Sequence, residues 1–186
     1  MHLLLILLGL TLILTVVGIG LYNKLIGLRQ MVNNGWSDID VQLKRRSDLI
    51  PALAASVKGY AAHEQKLFDE VTRRRRMALN AGDNPHSRGA AETALSAPVS
   101  RLLAVAEDYP DLKASETFLN LQTELSDTES KIEHARRFYN GAVRELNTLV
   151  QSVPANIVAG AFGFRMREFF EIAPSDAALP DLDFSL

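Results

Sequence analysis

FLNLQTELSDTESKIEHARRFYNGAVRELNTLVQSV, residues 118–153, carries the most regular pattern in the chain. Phe118, Leu121, Leu125, Thr128, Ile132, Ala135, Tyr139, Ala142, Leu146, Leu149 and Val153 alternate steps of three and four without a break. That spacing lines one face of an α-helix, with large residues at one seam position and mostly small ones at the other. Asp127 with Lys131 and Glu133 with Arg137 add i,i+4 pairs in the favourable order, and Pro154 ends the run. Heptads of this kind serve either a coiled coil between chains or packing within one chain. Other amphipathic helices share this chain, so packing within it is the expected use.

Upstream the same period recurs. Tyr22, Leu25, Leu28, Val32, Trp36, Ile39 and Leu43 form one stripe; Ile50, Leu53, Val57, Tyr60, Leu67 and Val71 form a second, within a helix expected over about 48–80. NAGDNPHSRG, residues 80–89, reads as a loop. An alanine-rich helix to about Asp108 follows, with Pro98 expected to kink it or delay its start. Tyr109-Pro110-Asp111 marks a turn. No stretch alternates with period two, so the class is all-α. Two architectures fit the region around Pro51. The unbroken apolar phase from Leu43 to Ile50 suits one long helix kinked at the proline. A hairpin near Ser47 instead gives four segments of roughly 26, 33, 20 and 42 residues, which suits an elongated antiparallel four-helix bundle of up-and-down type. The hairpin is the expectation.

The chain begins differently. Residues 1–22 contain no charged side chain, and LLLILLGLTLILTVVGIGLY, from Leu3 through Leu10 and Leu21 to Tyr22, is polar only at Thr11, Thr15 and Tyr22. A helix of that length rises ~30 Å, enough to cross the hydrocarbon core. A cleaved signal peptide would need a basic leader and a small-x-small site. Only Met1 and His2 precede the run, and Gly18-Ile19-Gly20 is the nearest candidate site. A retained anchor over 1–22 is therefore expected, with a body over 23–172 and a flexible acidic tail over 173–186. Lys24, Arg29, Lys44, Arg45 and Arg46 follow the span and no Lys or Arg precedes it. The positive-inside rule then puts the body in the cytoplasm and the N-terminus outside, in a single-pass membrane protein.

Charge narrows the function classes. The 186 residues hold 20 basic and 22 acidic side chains, and a net charge of -2 disfavours a dedicated nucleic-acid binder. With no cysteine, disulfides, thiolate metal sites and a cysteine nucleophile are excluded. The charge is unevenly spread: residues 23–76 hold 11 basic and 6 acidic groups, residues 77–186 hold 9 and 16. Arg73, Arg74, Arg75 and Arg76 wrap one full helical turn, so they cannot all enter one core. They read either as a solvated face or as a contact for anionic lipid headgroups or a partner.

YNKLIGLRQMVNNGWSDIDVQLKRRSDLIPALAASVKGYAAHEQKLFDEV, residues 22–71, resembles the signature of the LemA family. YPDLKASETFLNLQTEL, KIEHARRFYNGAVRELNTLVQSVPANIVAGAFGF and REFFEI continue the likeness in order to about residue 172. The resemblance implies one N-terminal anchor, a helical-bundle body and no established enzymatic activity. Some relatives are linked to magnetosome formation, which implies membrane organisation. Arg73 to Arg76 depart from the pattern, where relatives carry small residues, as does the tail.

Sites for chemistry are sparse. His63-Glu64 begins like HExxH, but Leu67 stands where the second ligand would be. His2, His63, His86 and His134 lie in separate segments, no Gly-rich phosphate loop occurs, and Glu129 near His134 lacks a second ExxH. No catalytic, metal or cofactor residue is assigned, and the chain is expected not to be an enzyme. Trp36, beside Asp38 and Asp40, is either core or a partner contact. The aromatic-rich run 157–172 is expected to close the bundle end, with an interfacial amphipathic segment as the alternative. The reading is a membrane-anchored scaffold that contacts lipid through its first helix and assembles with itself or with other membrane proteins; a non-catalytic adaptor of a membrane enzyme is the competitor.

Overall fold

In the computed structural model, which describes residues 1–172, α1 (His2–Lys58) runs 57 residues without interruption. The acidic tail over 173–186 lies outside the described residues. The remaining elements are α2 (Gln65–Leu79), α3 (Pro85–Glu107), α4 (Pro110–Lys113), α5 (Glu116–Gln151) and α6 (Ala155–Ala161). Among the described residues all regular structure is helical, as the periodicity requires.

The expected hairpin near Ser47 does not occur, because α1 carries straight through Pro51. Proline has no N–H, so the carbonyl four residues earlier, that of Ser47, loses its helical donor. Ser47 is buried, where an unmet carbonyl is costly. Arg75 supplies the missing donor: its Nε–H donates to the Ser47 carbonyl at 2.6 Å, with its Nη2 3.8 Å from Asp48. The proline is thus accommodated by a side chain from α2.

The chain reverses later, over Gly59–Glu64, which divides the helix expected over 48–80. There the amides of Tyr60 and Ala61 both donate to the Val57 carbonyl, at 3.0 and 2.9 Å, and Ala61 is fully buried. α2 then runs back beside the last turns of α1, which brings Arg75 to Ser47. The loop before α3 is also shorter than expected. Asn84 caps the helix by accepting from the Ser87 amide at 2.9 Å, and Pro85 takes the first helical position. Pro98 therefore lies inside α3 rather than near its start.

The chain divides into two compact units. One comprises Met1–Val41 with Lys131–Phe169. Here α1 and α5 pack antiparallel through Leu25, Leu28, Val32 and Ile39 against Ile132, Tyr139, Ala142, Val143 and Leu146. Gly35 sets their close approach: a Cβ there would stand 3.0 Å from Phe138 Cδ1 and 3.1 Å from Tyr139 Cα. The other comprises Gln42–Ser130 with Phe170–Ile172. Five helices meet in its core: Ile50, Leu53 and Val57 of α1, Leu67, Phe68 and Val71 of α2, Leu95, Val99 and Leu102 of α3, Leu112 of α4, Phe118 and Leu125 of α5. In the second unit Gly89 of α3 lies against the Glu171 backbone, whose carbonyl oxygen would be 2.1 Å from an added Cβ. The α5 seam is buried or half-buried from Phe118 to Leu149; Val153, past the helix end, is exposed.

Removing the Ser47 donor should be costly where removing a surface arginine is not. Arg75→Met is expected to lower the unfolding free energy of the detergent-solubilised protein by about 2 kcal/mol, the cost of an unmet buried acceptor. Arg76→Met, on an exposed residue, should change it by less than ~0.5 kcal/mol. Equal effects in denaturant titrations would mean that Pro51 is accommodated in some other way.

Candidate functional site

Arg46 lies on the apolar stripe of α1, three residues after Leu43 and four before Ile50, and is 2% exposed. A lone guanidinium there would be prohibitive, and two carboxylates meet it. Glu92 of α3, itself 3% exposed, forms a close ion pair with Arg46 Nη2. Glu129 of α5 accepts from Nη1 at 2.9 Å and is 47% exposed. Arg88, one turn before Glu92, brings its Nε to 3.5 Å from the other Glu92 oxygen. α1, α3 and α5 are tied at one point by four charged side chains. Burial opposes the charge on Arg46, but Glu129 and Glu92 outweigh it and hold the guanidinium above the ordinary arginine range. Nearer the surface Arg45 lies 3.6 Å from Glu124, and Arg101 donates to Glu70 at 2.7 Å.

The first unit is built on aromatic contacts. Trp36 is half-buried with its ring centroid 5.6 Å from that of Tyr139. The Tyr139 hydroxyl donates to the Glu168 carbonyl at 2.8 Å. Burial pushes this phenol above the ordinary tyrosine range; Arg167 opposes the shift and Glu168 adds to it. Asn147 grips the same extended segment from both sides of its amide, donating to the Arg167 carbonyl at 2.9 Å and accepting from the Arg167 amide at 2.8 Å. Tyr22 meets Phe162 and Phe164 at centroid distances of 4.8 and 5.9 Å, and the Arg29 guanidinium lies 5.3 Å from the Phe164 ring centre. Beside the segment an open groove of about 650 Å³ is lined by Arg144, Asn147, Thr148, Gln151 and Met166–Phe169.

The residues singled out from sequence are dispersed. Trp36 belongs to the first unit and Arg73 to Arg76 to the second. The four arginines do not act as one basic face: Arg73 and Arg76 are exposed, whereas Arg74 and Arg75 are half-buried and Arg75 is committed to Ser47 and Asp48. Direct lipid contact by this turn depended on a chain reversal at Ser47, which is absent. Leu3 and Leu10 are exposed on α1 and Leu21 half-buried, in a span long and apolar enough to cross a membrane. Glu129 is occupied by Arg46, and among the described residues no three His, Cys, Asp or Glu side chains cluster as metal ligands would. The Arg46–Glu92 pair was not singled out, although its signal was available. Arg88 and Glu92 continue the stripe Leu95, Val99, Leu102 and Ala106 in α3, as Arg46 continues Leu43, Ile50 and Leu53.

Fold and contacts together define an all-helical protein with one exposed apolar span and a body locked by buried charge. A model of the LemA family matches residues 35–184. The chain belongs to the LemA family. It is 24% identical over 179 residues to Magnetosome protein MamQ 2 of Paramagnetospirillum magneticum, covering 83% of this chain and 66% of that protein. The Magnetospirillum gryphiswaldense MamQ is 23% identical over the same shares. Protein LemA of Metamycoplasma hominis is 28% identical over 141 residues, 76% of this chain and 64% of its own length. The chain thus spans just under two thirds of each of these relatives.

The two carboxylates on Arg46 should differ in worth. Glu92→Gln leaves the buried cation without its buried counter-charge and is expected to cost about 3 kcal/mol of stability. Glu129→Gln, at a half-exposed site where water and salt substitute, should cost under ~1 kcal/mol. Chemical denaturation of the two variants decides the order; a larger loss for Glu129→Gln would place the essential counter-charge on α5.

Proposed function

We propose that this chain is a membrane-anchored helical scaffold of the bacterial inner membrane, with its N-terminus outside and its body in the cytoplasm, assembling with itself or with partner proteins. The observation that carries the reading is the exposed apolar span of α1, continuous with the helix that builds the core. Basic residues from Lys24 onward support the orientation. The relatives named as magnetosome proteins support a role in organising membrane-associated assemblies. A non-catalytic role fits a body whose buried Arg46 is already engaged by Glu92 and Glu129. Trp36 and the exposed Arg73 and Arg76 are the partner-contact candidates.

The orientation has a direct test. Protease added outside sealed spheroplasts should spare the body, and its degradation would reverse the assignment.

Assembly has another. Purified in mild detergent, the protein should run as a homo-oligomer by light scattering or retain stoichiometric partners by mass spectrometry. A co-purifying hydrolase would favour the alternative, a non-catalytic adaptor of a membrane enzyme. A partner-free monomer would count against both.

A further inference from the structure

The turn at the end of α5 presents an apolar surface beside the end of the span. Between Glu145 and Arg165 there is no charged side chain. α6 turns Ala155 and Ala159 inward, which leaves Ile157 71% exposed on the opposite side. Val153 before α6 is 80% exposed and Phe162 after it 64%. This surface is not remote from the membrane segment. Phe162 packs on Tyr22, the last residue of the apolar span, and Phe164 meets Tyr22 edge-on. A seven-residue helix is only ~10 Å long, so all of α6 lies within reach of the level at which the span ends.

We infer that Val153, α6 and Phe162 are seated in the interfacial zone of the same bilayer that α1 crosses, with lipid as the occupant of this apolar surface. The inference rests on the anchor reading of α1 and extends it to a second contact. Three features argue for lipid. The apolar surface is continuous with the span through the Tyr22–Phe162 contact. Its polar residues, Ser152 and Asn156, are uncharged. The exposed Lys24 of α1 and Arg165 and Arg167 of the following segment place cations where anionic headgroups would lie. A segment this short and interrupted by Pro154 cannot cross; it lies in the interface.

The chain has no cysteine, so single-cysteine variants of the full protein report one position each. Ile157→Cys and Phe162→Cys test the surface, Leu12→Cys tests the span, and Leu119→Cys, on an exposed residue of α5, gives the water-exposed reference. Each is placed in nanodiscs of phosphatidylcholine and phosphatidylglycerol and reacted with a membrane-impermeant maleimide. Burial of an aliphatic or aromatic side chain is worth about tenfold or more in population, so positions 157 and 162 should react about tenfold more slowly than 119. Fluorophores there should be quenched by lipids brominated high on the acyl chain, and one at position 12 by lipids brominated deep. Fast reaction at 157 and 162 with position 12 protected would overturn the second contact and leave the anchor standing. Fast reaction at position 12 would overturn both. Protection at 157 without lipid quenching, accompanied by cross-linking between copies, would assign the surface to a second chain and overturn the lipid reading.

Discussion

A proline in the middle of a helix leaves one carbonyl without a donor, and here that carbonyl belongs to buried Ser47. Much of the second unit follows from meeting that need. The donor, Arg75, must arrive from another helix, so α2 must return along α1 at a fixed height. That fixes where the chain turns, at Gly59–Glu64, and which residues of α2 face inward. Leu67, Phe68 and Val71 then meet Ile50, Leu53 and Val57 in the shared core. A local covalent defect has become a long-range positioning device.

The neighbouring residue imposes a second constraint. Arg46 points into the core, and its charge is tolerable only if α3 and α5 bring Glu92 and Glu129 to it. Apolar packing is forgiving of small shifts along a helix axis, whereas a guanidinium between two carboxylates is not. Ser47 and Arg46 together therefore set the register of α2, α3 and α5 against one turn of α1. The stretch QLKRRSDLIP, residues 42–51, contains both residues and the proline. Its conspicuous arginine and proline are parts of one structural device.

The helical class was legible because the α5 seam keeps strict heptad spacing from Phe118 to Leu149, and only packing maintains such spacing. The reversal was not, for two physical reasons. The stripe continues in phase from Leu43 to Val57, so the sequence carried no break at Ser47. The actual turn, Gly59 to Glu64, contains one glycine and no proline, and Leu67 and Val71 resume at helical spacing beyond it. The start of α3 was hidden by chemistry that serves two purposes: Asn84-Pro85 reads as a turn but acts as a cap and first helical residue. The ion pair escaped because charged residues are ordinarily solvated. Arg46 and Glu92 become informative only when each is seen to occupy a core position of its own stripe. The arginine turn shows the converse, since Arg75, one of four in a row, is distinguished only by the carbonyl that it reaches.

No flexible linker separates the apolar span from the packed body. Tyr22 closes the span, clasped by Phe162 and Phe164, and Leu25, fully buried, lies about one helical turn further along the same rod. Such a joint has no swivel. A rotation of the span about its axis is at the same time a rotation of the core face that carries Leu25, Leu28 and Val32, and a close-packed interior transmits that torque rather than absorbing it. A neighbour that grips this apolar segment therefore has mechanical leverage on the packed face that continues it.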